Sequence, residues 1–321
     1  MKILVIQNKM GIGDMVIYLP FIEAISKLFD VPVSILVKES SKAEQFLKDS
    51  NIIDKIIILD RNNKLKNGKH EGFTGSCNLV KDLKQHNFDK IFIFNSSLRF
   101  NLIARFARIK DIYQYPLFKK KGQHVVRAAK EFLKKKLNLD IESDPKIFIK
   151  EQAIKDAKLK YNIGTKQINI LLGIGGSGPN KRIPARTYIK FMNLVSQKHE
   201  CKFFLATGKD FEEQKILSEV LNANSKYECY ALDNLNLSEI LPIIKNCDIS
   251  ICNDSSFSHL SSGVGIDTIV LIADTPLLYG SYSSRMFPII PDIINDMQPN
   301  TLAKDRIDPN NILKKFNKIL N

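Results

Sequence analysis

Long apolar runs are missing from this chain: none approaches the roughly 18 residues that a bilayer-crossing helix requires, which excludes a membrane-spanning protein. Cysteine is sparse, 5 in 321 residues. The five (Cys77, Cys201, Cys229, Cys247, Cys252) are odd in number and scattered, a usage that fits reduced thiols in a cytoplasmic protein rather than a disulfide framework. The opening MKILVIQNKMGIGD has neither the apolar h-region nor the small-residue cleavage site of a signal peptide. It reads instead as a first strand and a glycine-containing turn. Metal-ligand spacing is lacking, because the 5 histidines are dispersed and Cys247 and Cys252 have no C-x-x-C partner pair or paired histidines nearby. A G-x-S-x-G elbow, a P-loop and the usual nucleic-acid-reading motifs are also missing. Their absence argues against a serine hydrolase, a P-loop nucleotidase and specific nucleic-acid binding.

What is present is ordinary globular composition, with 44% hydrophobic and 26% charged residues. At roughly 150 residues per domain, the length predicts two domains, each able to bury its own core. We place them at residues 1–150 and 151–321. The formal charge of +14 is unevenly distributed. Residues 1–150 hold 28 Lys and Arg against 16 Asp and Glu, whereas 151–321 hold 20 against 18. The excess is densest over 99–136, with Arg99, Arg105, Arg108, Lys110, Lys119–Lys121, Arg127 and Lys134–Lys136. Such a field attracts nucleic acid, anionic headgroups or a phosphorylated glycolipid; it also fits a lysine-rich solvated surface.

Short apolar runs at 2–7, 33–38, 55–60 and 90–95 read as buried strands. Between the first two, 15–29 has apolar residues three and four apart, the period of an amphipathic helix, which Pro20 could kink. The second half repeats this grammar. Strands are predicted at 168–174, 201–207, 248–253 and 268–273, and helices at 187–197, 211–221, 237–246 and 308–320. The last helix could pack back on the first domain. The stretch from Pro145 through the 150s reads as the connection between the two domains. Alternating strand and helix implies βαβ units and parallel sheets. The predicted fold class is therefore α/β, two Rossmann-like domains facing each other across a cleft.

Ligands of open parallel sheets bind at the carboxyl ends of strands, and three such loops are unusual. In NKMGIGDMV (8–16), Gly11 and Gly13 permit a tight turn and Asp14 falls at a helix start. Asp14 suits either a helix-capping carboxylate or a proton acceptor, because an acid there would repel a pyrophosphate. In GIGGSGPNKRIP (173–184), glycines including Gly175 and Gly176, with Ser177, would let backbone amides approach an anion. Lys181 and Arg182 add positive charge. A flexible loop flanking a helix fits the same residues. In CNDSSFSHLSSGVG (252–265), Asp254, Ser255 and Ser256 precede a short helix whose first amides could bind a diphosphate. Taken singly, Ser255 could be a simple cap and His259 a structural histidine.

Taken in order, these loops resemble glycosyltransferase family 9, the ADP-heptose:lipopolysaccharide heptosyltransferases. The resemblance rests on GIGD (11–14) with Leu19–Pro20, on GGSGPNKRIP (175–184) and on DSSFSHLS (254–261). The SEI of 238–240 and YGSY of 279–282 fall where the family has similar elements. The pattern extends to about residue 290. It departs from the family at Ser256, Phe257 and Ile183, and at the shortened ADTP of 273–276.

The resemblance implies a GT-B fold and inverting, metal-independent transfer from a nucleotide sugar, with ADP-heptose the expected donor, to a lipopolysaccharide core or similar anionic glycan. No cofactor is expected. Asp14 matches the family's general base and Lys181 a residue that contacts the phosphates. Gly175, Gly176, Ser177, Asp254, Ser255, Ser256 and His259 would shape the donor site, with Glu212 a further candidate for holding the nucleoside or sugar. Gly11, Gly13 and Arg99 would lie on the acceptor side. The resemblance also implies work at the cytoplasmic face of the inner membrane, to which the basic first half would be drawn peripherally. Two other readings remain open at this point: a nucleotide-sugar epimerase of the same fold, and a non-catalytic polyanion-binding protein.

Overall fold

The computed structural model describes the chain except residues 10, 62–67, 118–123, 224–225, 274–276, 292–302 and 321, with residue 278 described by its backbone alone. The Lys119–Lys121 run and positions 274–276 of the ADTP segment therefore lie outside the described residues. The chain divides into two compact units, Met1–Phe148 and Ile149–Asn321.

The first unit runs β1 (Ile3–Ile6), α1 (Ile12–Phe29), β2 (Val33–Val37), α2 (Ala43–Leu47), β3 (Ile53–Ile58), α3 (Gly72–His86), β4 (Lys90–Ile93), α4 (Leu98–Phe106), β5 (Asp111–Gln114) and α5 (Val125–Leu137). Its sheet is parallel throughout, in the order β3-β2-β1-β4-β5. The central strands are buried on both faces, as their Ile-, Leu- and Val-rich sequences require. The isoleucines of β3 are only half-buried, because this strand lies at the edge of the sheet and is not one of the fully buried strands the sequence predicted. Helix α1 runs continuously through Pro20. Leu79, Leu83, Phe100, Ile103 and Ala104 bring α3 and α4 onto one part of the core.

The second unit runs α6 (Glu151–Lys160), β6 (Ile168–Gly173), α7 (Ala185–Ser196), β7 (Cys201–Ala206), α8 (Phe211–Ala223), β8 (Glu228–Ala231), α9 (Leu237–Lys245), β9 (Ile249–Asn253), α10 (Ser256–Gly263), β10 (Thr268–Leu271), β11 (Met286–Ile289) and α11 (Pro309–Leu320). Its parallel sheet has the order β11-β10-β9-β6-β7-β8. The stretch taken from the sequence as a connection contains α6. The terminal helix α11 buries Ile312 and Phe316 in the core of this unit, and the Phe316 ring meets Phe191 of α7 edge-on at 5.8 Å. That apolar stripe is thus part of this unit's core. No described helix is long and apolar enough to cross a membrane.

Candidate active site

In an open parallel sheet, the crevice for a ligand opens where neighbouring strands send their chains to opposite sides. In the second unit that point lies between β6 and β9, adjacent in the sheet although β7 and β8 intervene in sequence. The loop leaving β6 is fastened from beneath. Asn253, the fully buried last residue of β9, donates through Nδ2 to the carbonyls of Ile174 (2.9 Å) and Gly175 (3.2 Å). Its Oδ1 accepts from the Tyr188 hydroxyl at 2.5 Å, and burial pushes the Tyr188 phenol well above its ordinary pKa.

The Gly176 amide donates to Glu213 Oε1 at 2.6 Å, and Glu213 is itself 9% exposed. A Cβ on Gly175 would fall 2.7 Å from that carboxylate oxygen and 3.0 Å from Thr207 Oγ1. Glycine is needed there by close packing. The Gly176 N–H, expected to face an anion, is spent on Glu213 instead, so at that residue the loop is not an open amide cradle. Arg182 completes the fastening, its Nε donating to the Gly176 carbonyl (2.9 Å) and its Nη2 pairing with Asp210 Oδ1 (3.0 Å).

Beyond this anchor the loop turns at Pro179–Lys181 and delivers Lys181 to the end of β9. Lys181 Nζ lies 2.8 Å from Asp254 Oδ2. The Asp254 side chain is 4% exposed and that of Lys181 31%, so the ammonium reaches outward from a nearly buried carboxylate. His259, on α10, is buried. Its Nδ1 sits 3.0 Å from the Tyr282 hydroxyl, and the two rings stack at 5.6 Å. Burial, aided by Lys181 and opposed by Asp254, lowers the imidazole pKa to about 4. His259 is accordingly neutral across the physiological range. Ser255 caps α10 without a side-chain capping bond, and its Oγ is buried with no hydrogen-bond partner among the described residues. Ser256 opens the helix, half-buried, and Ser177 is exposed.

In the first unit the corresponding crevice lies between β1 and β4. Asn95 Nδ2, in the loop after β4, donates to Asn8 Oδ1 after β1 at 3.2 Å, tying the two loops together. Gly11 caps α1, Gly13 is buried in its first turn, and Asp14 follows, half-buried. Asp14 Oδ2 accepts the Gly11 amide at 3.2 Å, so the carboxylate does serve as a cap. Its Oδ1 takes no hydrogen bond among the described residues, leaving one oxygen able to receive a proton. Arg99 joins α4 to α3 and the chain before it: its Nε donates to Ser76 Oγ (2.8 Å) and its Nη2 to the His70 carbonyl (2.5 Å). Partial burial, with Arg61 nearby, lowers its pKa while Glu71 opposes.

The structure thus brings Lys181, Asp254, Ser255, Ser256 and His259 to one place, with Gly175 and Gly176 beneath. Glu212 faces solvent; its neighbour Glu213 turns inward. Glu213 and Asn253 were not singled out from the sequence, and Tyr282 only as part of the YGSY element. An amide-terminated side chain ending a buried, mostly apolar strand was the available signal for Asn253. Among the described residues, no group of three or more His, Cys, Asp or Glu side chains could hold a metal ion.

Residues 77–290 match the model of glycosyltransferase family 9 (heptosyltransferase). The chain belongs to that family. It is therefore a glycosyltransferase, and the epimerase and non-catalytic readings fall away. This family 9 chain is 25% identical to lipopolysaccharide heptosyltransferase 1 of Campylobacter coli, over 90% of its own length and 89% of the relative's. Among solved structures it resembles a family 9 glycosyltransferase from Veillonella parvula, with a TM-score of 0.82 at 17% identity, covering 99% of this chain and 97% of that one. It also resembles the ADP-heptose lipopolysaccharide heptosyltransferase II of E. coli, with a TM-score of 0.75 at 16% identity, covering 100% and 98%. The fold is GT-B, built from two parallel-sheet α/β domains.

Proposed function

We propose that this glycosyltransferase moves a heptose from ADP-heptose to the core of lipopolysaccharide or a related surface glycan, with inversion at the anomeric carbon and without a metal ion. The observation that carries the reading is the convergence of Lys181, Asp254 and the first turn of α10 at the carboxyl ends of β6 and β9. A nucleoside diphosphate leaving without Mg²⁺ needs protein donors for its developing charge. An ammonium carries three N–H donors, of which Asp254 engages one. The buried Ser255 hydroxyl and the first amides of α10 complete a donor set suited to phosphate oxygens.

Asp14 supplies the other half of the chemistry. As an acceptor hydroxyl oxygen forms its bond to the anomeric carbon, the bond from that carbon to the diphosphate breaks. The hydroxyl proton passes to Asp14 Oδ1, and ADP departs. The donor and acceptor classes are those that the related enzymes' names give. An acceptor in the inner membrane would place the work at its cytoplasmic face, and the excess of cations in residues 1–150 favours a peripheral, anionic glycolipid partner.

The test is calorimetric titration with ADP-, GDP-, UDP- and CDP-sugars, followed by nucleotide release with and without glycolipid. ADP-heptose should bind tightest and release ADP only when acceptor is added. Preference for another nucleotide, or release independent of acceptor, overturns the reading.

A further inference from the structure

Helix α4 has two contrasting faces. Phe100, Ile103 and Ala104 enter the core, whereas Leu98, Leu102 and Phe106 are 47%, 43% and 65% exposed. A spacing of four places these three on one stripe, about 12 Å long at 1.5 Å per residue. Single exposed leucines need no explanation, but an aligned apolar stripe does. Arg105 lies beside it, and Arg108 and Lys110 follow, all exposed. The helix LRFNLIARF contains no acidic residue. Phe73, 85% exposed, stands on the first turn of α3, one turn before the Ser76 hydroxyl that joins α3 to Arg99 of α4.

We infer that the exposed face of α4 is a membrane-docking surface, inserting Leu98, Leu102 and Phe106 at the headgroup boundary of an anionic bilayer while Arg105, Arg108 and Lys110 meet lipid phosphates. Apolar side chains flanked by cations, on a helix far too short to cross a bilayer, are the pattern of an interfacial helix. Charge complementarity favours lipid over other occupants. The unit is strongly cationic, and a second copy of the chain seated symmetrically on α4 would oppose Arg105 and Arg108 to themselves. The position also fits. The loop that leads into α4 is tied by the Asn95–Asn8 hydrogen bond to the loop after β1 that leads to Asp14. Docking through α4 would therefore hold the acceptor-side edge of this unit at the bilayer. The inference deepens the membrane-acceptor reading above, but its test does not depend on turnover.

The full chain is sedimented with vesicles of phosphatidylcholine alone and of phosphatidylcholine containing phosphatidylglycerol, at low and moderate salt. Wild type should favour the anionic vesicles. The double variant Leu102→Ser/Phe106→Ser should lose at least about tenfold in partitioning, with an unchanged unfolding midpoint because both side chains are exposed. Unaltered partitioning of the variant, or no vesicle binding by wild type, overturns the inference. So does a wild-type dimer that the variant dissociates, which would assign the stripe to a second copy. Transfer to a water-soluble, deacylated acceptor should be equal in both proteins. If neither transfers while vesicle binding persists, the proposed reaction falls and the docking surface stands.

Discussion

Lys181 and Asp254, 73 residues apart in sequence, meet at 2.8 Å across the two loops that leave β6 and β9. The pair is asymmetric. Asp254 is nearly buried, while Lys181 keeps about a third of its side chain in water. One contact thus ties the two loops together and, under the proposed function, presents a cation to a diphosphate.

Lys181→Ala should therefore act twice. It should weaken ADP binding by about 1–3 kcal/mol, as for loss of a charge-assisted hydrogen bond. It should also lower stability by a similar amount, because Asp254 is left as an unpaired, nearly buried carboxylate. Adding Asp254→Asn should restore part of the stability but none of the ADP affinity. Calorimetry and denaturant unfolding of the two single variants and the double variant separate the effects. ADP affinity equal to wild type in Lys181→Ala would remove Lys181 from the donor site.

Asp14→Asn tests the proposed base. The amide oxygen of Asn can still accept the Gly11 N–H, so the α1 cap and the unfolding midpoint should change little. Turnover should fall at least about 10²-fold with ADP binding retained. Near-wild-type turnover would leave Asp14 with only its capping role.

The Glu213 carboxylate offers a measure of how far loop shape controls donor binding. Glu213→Ala removes the acceptor of the Gly176 amide and opens space beneath Gly175. A stability loss of about 1–3 kcal/mol is expected for the unsatisfied amide, together with weaker ADP binding although Glu213 need not touch the nucleotide. Glu213→Gln, which retains an acceptor, should recover most of both. Equal ADP affinity in all three proteins would show that the loop holds its shape without this contact.

His259 should make stability depend on pH. Its folded pKa, about 4, lies below the ordinary value of 6.5. The unfolded chain therefore binds the proton first as pH falls through that interval. The contribution of the neutral, buried imidazole is fully present above about 6.5 and is lost on acidification toward about 4, on the order of 3 kcal/mol. Denaturation midpoints across this range should fall more steeply for wild type than for His259→Gln. Parallel curves would count against the shift.

The central strands were legible because strands buried on both faces are written as unbroken Ile, Val and Leu runs. Three of the four edge strands were not. Asp-Ile-Tyr-Gln of β5, Glu-Cys-Tyr-Ala of β8 and Met-Phe-Pro-Ile of β11 are short or partly polar, and each has a neighbour on one side only. Helix α5 is hidden in its own lysines, whose charge masks the period of Val126, Ala129, Phe132 and Leu133. At the site, ordered glycines and charges led to Lys181, Asp254 and His259. Choosing between Glu212 and Glu213 required the rotation of α8 about its axis, which adjacent identical residues do not encode. For Arg99, expected on the acceptor side, sequence cannot reveal that Ser76 and the His70 carbonyl engage two of its five N–H donors.

The loop after β6 is gripped by Asn253 of β9 and Glu213 of α8 and braced from within by its own Arg182. A visiting molecule therefore meets a finished surface and bears little of the cost of arranging it. Small, stiff dianions that imitate only the pyrophosphate should for that reason bind with high efficiency per atom, making fragments of the donor reasonable starting points for blocking the enzyme.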